Sequence, residues 1–213
     1  CMGVSASDTH SRKNTGMSTA EALPRIIGMA KRALDAERPV QVSVQSAFGC
    51  GFEGPIAEKR VLDIVRQYVD AGLFAISLAD TAGHADPDLV ESRFAAVLRL
   101  SPEVRAACHF HDTYGMAMAN SLAALRAGVR SFEAAFGGLG GCPFTKLSGG
   151  NTPTEDLVHM FRRMGMCREI DLEPIIEVVE DAETLLGRTL PGVIHRSGPI
   201  PENRPETVVS HLG

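Results

Sequence analysis

Val40-Gln41-Val42-Ser43-Val44-Gln45-Ser46 alternates apolar and polar side chains, the pattern of a strand whose two faces meet different surroundings. Behind it the period changes. After Pro55, Ile56, Val61, Leu62, Ile64, Val65 and Val69 recur at helical spacing until Gly72 ends the run. The couple then repeats. Residues 74–79 read as a strand, and Asp86-Pro87 starts a helix carrying Leu89, Val90, Phe94, Val97 and Leu98, with the Asp as cap and the Pro at the first helical position. Residues 105–110 read as a third strand, followed by a helix over about 114–127 that Gly128 stops. Residues 130–136 make a fourth, and a glycine-rich loop leads to a helix opened by Thr152-Pro153-Thr154-Glu155, read as a capping box. One more helix covers 171–186. Upstream, Ser18-Thr19-Ala20-Glu21 caps a helix reaching about Leu34, preceded by a scrap of strand near residues 2–6.

Strands that alternate with helices pair in parallel through right-handed crossovers. The strand starts, near 40, 74, 105 and 130, are spaced by about the 30 residues that each unit of a (β/α)8 barrel takes. The expected fold is therefore α/β, a TIM barrel of which the chain carries about the C-terminal four to five βα units. Residues 1–187 form this partial barrel domain, and 188–213, with four prolines, an irregular tail. The chain reads as cut at its front.

Composition narrows the function. The 213 residues are 44% hydrophobic and 22% charged, as in an ordinary globular domain. The net charge of −5 comes with no basic stripe, and Trp is absent, so no nucleic-acid partner is expected. No apolar run approaches the roughly 18 residues of a membrane span. Five cysteines, Cys1, Cys50, Cys108, Cys142 and Cys167, form no C-x-x-C pair, and no signal peptide precedes them; both point to a reducing, cytoplasmic setting.

Three stretches carry chemistry. His109-Phe110-His111-Asp112 ends the third strand, where residues i and i+2 share a face, so both imidazoles converge at the strand's carboxyl end and can hold a divalent ion. Alone, the same motif also fits two ordinary strand-end histidines. Gly137-Gly138-Leu139-Gly140-Gly141-Cys142-Pro143-Phe144 with Ser148-Gly149-Gly150-Asn151 is too glycine-dense for a regular element. It reads as a lid that delivers a thiol, as a turn with an incidental cysteine, or as a phosphate cradle. Asn151 adds an amide oxygen, a hard ligand suited to Mg or Mn. Ser77-Leu78-Ala79-Asp80 ends a strand in a carboxylate; Asp80 and Asp112 either orient the metal site or cap the turns that follow.

His109-Phe110-His111-Asp112-Thr113-Tyr114-Gly115, Ala119-Asn120-Ser121-Leu122 and the Cys142 loop together resemble the 3-hydroxy-3-methylglutaryl-CoA lyase family. Ser5-Ala6-Ser7, Lys13-Asn14, Phe48-Gly49-Cys50 with Glu53-Gly54, and Asn151 with Thr154-Glu155-Asp156-Leu157 extend the likeness to about Arg188. The H-x-H is shared with isopropylmalate and citramalate synthases and carboxyltransferases, whereas the cysteine-bearing loop points to the lyases. The resemblance implies His109, His111 and Asn151 as ligands of Mg or Mn, Cys142 as the loop cysteine, Asp80 as a carboxylate near the metal, and Lys13 and Asn14 as contacts of the CoA moiety. It implies an acyl-CoA substrate cleaved to acetyl-CoA and acetoacetate, with His109 or a metal-oriented group as base and Cys142 protonating the enolate carbon. The family's first strand also ends in an Arg-Asp pair, and this chain holds no Arg-Asp dipeptide. A chain without it is expected to be inactive and poorly stable alone.

A Claisen-type synthase and a non-catalytic half-barrel that binds a partner are the rival readings. Such barrels often pair, so a homodimer is an open expectation. His10, His84, His159, His195 and His211 lack ligand spacing and read as surface or structural residues; Cys50 reads as a turn residue, Cys108 as buried, and Arg162-Arg163 as a solvated helix face.

Overall fold

The computed structural model describes residues 1–143 and 149–201. Along them run β1 (Met2–Ser5), α1 (Asp8–Thr15), α2 (Thr19–Asp35), β2 (Val42–Gln45), α3 (Glu58–Asp70), β3 (Ala75–Asp80), α4 (Pro87–Leu98), β4 (Arg105–Phe110), α5 (Ala117–Arg126), β5 (Ser131–Glu133), a 3-10 turn (Phe136–Gly138), α6 (Thr154–Arg163), α7 (Glu173–Leu186) and α8 (Ile194–Ser197). Phe144, Ser148 and His211 lie outside the described residues, as does the end of the tail from 202 onward.

All five strands are parallel and stand in sequence order, β1-β2-β3-β4-β5. Winding in one direction without a reversal of strand order is the topology of a barrel arc, not of a doubly wound sheet. The alternation read in residues 40–46 sets the two faces. Val42, Val44, Ile76, Leu78, Cys108 and Phe110 join the helix-facing core with Val61, Val65, Tyr68 and Phe94. The intervening positions, Ser43, Gln45, Ser77, Ala79, His109 and Glu133, line a cleft on the other face. Even the polar tip of the core is satisfied: the buried Tyr68 hydroxyl donates to the Ser43 carbonyl at 3.1 Å. Buried Arg93 likewise donates to the carbonyls of Ala47 and Ile56.

Local signals decide most of the element ends. Ser18 and Glu21 form the full capping box at α2, and Asp86 caps α4 ahead of Pro87. The scrap of strand expected near residues 2–6 is present, as Met2–Ser5 pairing residue by residue with Val42–Gln45. Two expectations need correction. The helix expected from Pro55 starts only at Glu58. The box expected at 152–155 does not form: α6 starts at Thr154 behind Pro153 with no side-chain cap. Glu155 instead turns inward, fully buried, and accepts the Gly137 N–H at 2.9 Å. From residue 188 to 201 the chain is irregular except for the single turn of α8. Asp156 accepts the N–H groups of Val193 and Ile194, which caps α8, and His195 sits buried between Glu155 and Glu183.

Candidate active site

The cleft lies at the carboxyl ends of the strands, where barrel folds place their chemistry. Parallel register sets its central row: Ala79 pairs with His109 and His109 with Glu133. His109 Nδ1 is 3.1 Å from Glu133 Oε2. A carboxylate only accepts, so the ring proton of this bond sits on Nδ1 and the lone pair of the neutral ring on Nε2. Gln41 donates to the other carboxylate oxygen of Glu133 at 2.6 Å. Burial alone would push the Glu133 carboxyl up, but its hydrogen bonds, that of His109 foremost, outweigh this and hold it below its ordinary value.

His111 lies one step past β4, its ring centroid 5.1 Å from that of His109. Its Nδ1 is 3.1 Å from the Gly149 carbonyl oxygen, an acceptor, which again places the lone pair of the neutral ring on Nε2. Burial, assisted by His109, pushes the His111 imidazole down to about 4. A neutral imidazole is the form that binds metal.

Asn151 reaches the site by backbone pairing. Residues 150–152 run beside the end of β4: Asp112 N–H donates to Gly150 O at 2.7 Å, Thr152 N–H to Phe110 O at 3.1 Å, and His111 and Asn151 form an antiparallel bridge. Gly150 is required here, because a Cβ would overlap the Gly138 carbonyl oxygen. The Asn151 Nδ2 amino group donates to Leu139 O at 2.7 Å, which fixes the amide's orientation. Oδ1 is left buried without a protein partner. An orphaned buried acceptor on the residue bridged to His111 fits a cation. His109, His111 and Asn151 would thus supply three of the roughly six positions a hard divalent ion takes. Among the described residues, no group of three or more His, Cys, Asp or Glu is arranged to hold a metal, and none of these three side chains is anionic.

The structure brings Cys142 and Asn14 into the same cleft. Asn14 Nδ2 donates to Gln45 Oε1 at 3.3 Å. Lys13, on the same helix, instead stacks its ammonium 4.9 Å above the Phe52 ring. Asp80 behaves as a turn cap. Its two oxygens accept the N–H groups of His84 at 2.8 Å and Ala85 at 3.0 Å, and burial pushes its carboxyl up to about 6. Asp112 caps α5 through Ala117 N–H in the same way. Neither is in contact with the two histidines by any of these bonds. Cys50 is buried against Ser7 Oγ, and Cys108 is buried in β4.

Two residues escaped the sequence reading. Glu133 was legible in principle, as a charged residue at an inward position of a strand. His10 was not: read as surface or structural, it is 1% exposed, and its Nε2 lies 3.7 Å from Cys142 Sγ. Only the placement of α1 across the strand ends joins residues 132 positions apart.

The family model of the HMGL-like proteins matches residues 2–181. The chain belongs to the HMGL-like family. HMGL-like relatives include the (R)-citramalyl-CoA lyase of Chloroflexus aurantiacus, 39% identical over 200 residues that cover 92% of this chain and 62% of the relative. The hydroxymethylglutaryl-CoA lyase of Bacillus subtilis is 36% identical over 191 residues, 90% of this chain and 64% of the relative. This HMGL-like chain thus spans less than two thirds of the length of either. A solved HMG-CoA lyase of Acinetobacter baumannii, in complex with coenzyme A and 3-methylmalate, superposes with a TM-score of 0.88 at 38% identity, covering 96% of this chain and 67% of its own. The five-stranded arc therefore matches part of that lyase.

Proposed function

We propose that this site serves a divalent-metal-dependent carbon–carbon lyase acting on a 3-hydroxyacyl-CoA such as 3-hydroxy-3-methylglutaryl-CoA, within a (β/α)8 barrel of which these strands are an arc. The observation that carries the reading is the convergence of His109, His111 and Cys142 in one cleft. The ligand named for the A. baumannii structure, coenzyme A, supports an acyl-CoA substrate.

A divalent ion held by His109, His111 and Asn151 would polarise the substrate's hydroxyl and carboxylate oxygens and ease loss of the hydroxyl proton. The chain's own groups do the rest. Glu133 fixes the His109 tautomer so that Nε2 faces the ligand position. That lone pair serves a ligand or a base, not both at once; we assign it to the ligand role, so the hydroxyl proton would pass to water in the cleft before the C–C bond breaks. When the C–C bond breaks, the enolate of acetyl-CoA needs a proton at carbon, and the Cys142 S–H is the donor in reach of the cleft. Residues 137–142, lying over the strand ends, would exclude water while the enolate exists. Asn14 contributes a polar contact for the CoA moiety, with Lys13 the preceding residue of the same helix.

The test is release of acetyl-CoA from 3-hydroxy-3-methylglutaryl-CoA and from citramalyl-CoA by the native gene product with Mn²⁺. Cleavage that Cys142→Ala cuts about a hundredfold or more supports the lyase. Condensation of acetyl-CoA with a 2-oxo acid, unaffected by Cys142→Ala, would mean a synthase instead. Absence of both with no Mn²⁺ bound would leave a binding module.

A further inference from the structure

His10 has no place in the family motifs quoted above, yet the fold buries it in the cleft. α1 is capped at its start by Ser7, whose side chain accepts the His10 N–H, and this holds the ring inward at 1% exposure. Its Nε2 sits 3.7 Å from Cys142 Sγ, within hydrogen-bond reach for sulfur. Its Nδ1 is buried and has no protein partner. That asymmetry selects a tautomer. A proton on Nδ1 would strand a buried donor, whereas a proton on Nε2 leaves only a lone pair unmet, the cheaper of the two. Burial also pushes the imidazole below its ordinary range, which keeps the ring neutral at neutral pH.

We propose that His10 is a positioning residue for Cys142, donating its Nε2–H to the sulfur and holding it in the cleft when the sulfur carries charge. This rests on the reading of Cys142 as the acid that protonates the enolate. In that step the S–H bond breaks, its proton forms the new C–H bond of acetyl-CoA, and its electron pair stays on sulfur. The bond from His10 then becomes charge-assisted and strengthens. Sulfur regains a proton from water after the product leaves. A glycine-dense segment gains from such a tether, since hydrogen-bonding the thiol fixes where its proton is delivered.

The test does not require turnover. Iodoacetamide alkylates the sulfur anion, so the rate at Cys142, read peptide by peptide by mass spectrometry on the full chain at one near-neutral pH, reports how well that anion is held. His10→Phe is expected to slow alkylation about tenfold through loss of a charge-assisted bond, and His10→Gln, which keeps an N–H at similar reach, to recover part of it. Buried Cys50 and Cys108 serve as the folding control, since their labelling rises only if the chain opens. Equal rates in native protein and a folded His10→Phe would overturn the proposal, as would equal slowing in Phe and Gln, the mark of simple occlusion. Should His10→Phe unfold, the ring nitrogen resonances of His10 decide: Cys142→Ala must shift Nε2, and an unmoved resonance rejects the contact. A Cys142→Ala enzyme with full lyase activity would refute the acid role while leaving the alkylation contrast intact.

Discussion

His109 on β4 and Glu133 on β5 are direct register partners, and their side chains meet at 3.1 Å on the cleft face of the sheet. The strand pairing itself therefore aims the imidazole, with no loop involved. A carboxylate behind a ligating histidine typically changes metal affinity by about 10- to 100-fold. Glu133→Gln keeps the shape but cannot hold the Nδ1 proton as firmly. Its Mn²⁺ dissociation constant, measured by calorimetry, is expected to rise at least about tenfold, and His111→Ala to abolish binding. An unchanged constant in Glu133→Gln would remove Glu133 from the site.

Asn151 offers a test in which ligand and scaffold roles move in opposite directions. Asn151→Asp keeps an oxygen where Oδ1 lies and supplies the anionic ligand that the site lacks, so Mn²⁺ binding should tighten about tenfold. The same change deletes the Nδ2–H donated to Leu139 O and sets two acceptors face to face. The metal-free chain should lose about 1–3 kcal/mol in urea unfolding. Loss of both stability and Mn²⁺ affinity would make Asn151 a scaffold residue only.

Asp80 gives the fold a pH dependence whose sign is fixed. Burial raises its carboxyl from 3.8 to about 6. Between those values the folded chain keeps a proton that the unfolded chain releases. The resulting stability is fully present below 3.8 and is lost as pH rises through about 6. Asp80→Asn cannot titrate and retains one acceptor for the turn. The difference in unfolding free energy between wild type and Asp80→Asn should therefore shift against the wild type by at most about 3 kcal/mol from pH 4 to pH 7. A flat difference would show that Asp80 keeps an ordinary carboxyl.

Much of this was open to a reader of the chain because it rests on short-range physics. Alternation in 40–46 gave a strand with two faces, Asp86-Pro87 gave a helix start, and H-x-H gave two rings on one side of β4. What failed depended on distant partners. Thr152-Pro153-Thr154-Glu155 satisfies every local rule for a capping box, but the Gly137 N–H, 18 residues earlier, claims the Glu155 carboxylate. Met2–Ser5 read only as a scrap of strand, and pairing with Val42–Gln45 is what gives it its bounds. Asp80, open between a metal-side carboxylate and a turn cap, and His10, read as surface or structural, were undecided for one reason. The backbone turn after β3 and the placement of α1, not the residue types, settle what those side chains touch.

Glu155 also yields the sharpest statement about the loop. Its carboxylate is fully buried and holds Gly137, a residue at φ 60° whose amide would otherwise face the protein interior unpaired. His195 lies 3.4 Å away on the far side, so the carboxylate ties the loop after β5 to the segment after α7. Glu155→Ala leaves the buried Gly137 N–H without its acceptor, a cost of about 1–3 kcal/mol, while the His195 ring keeps its bond to Glu183 at 3.0 Å. Glu155→Gln keeps the acceptor for Gly137 and should lose less. The expected order of thermal midpoints is wild type, then Gln, then Ala. Because residues 137–142 lead directly to Cys142, limited proteolysis should cut this stretch faster in Glu155→Ala than in wild type, while cleavage within α3 and α4 stays unchanged. Equal cutting would show that the loop is held by contacts other than Glu155.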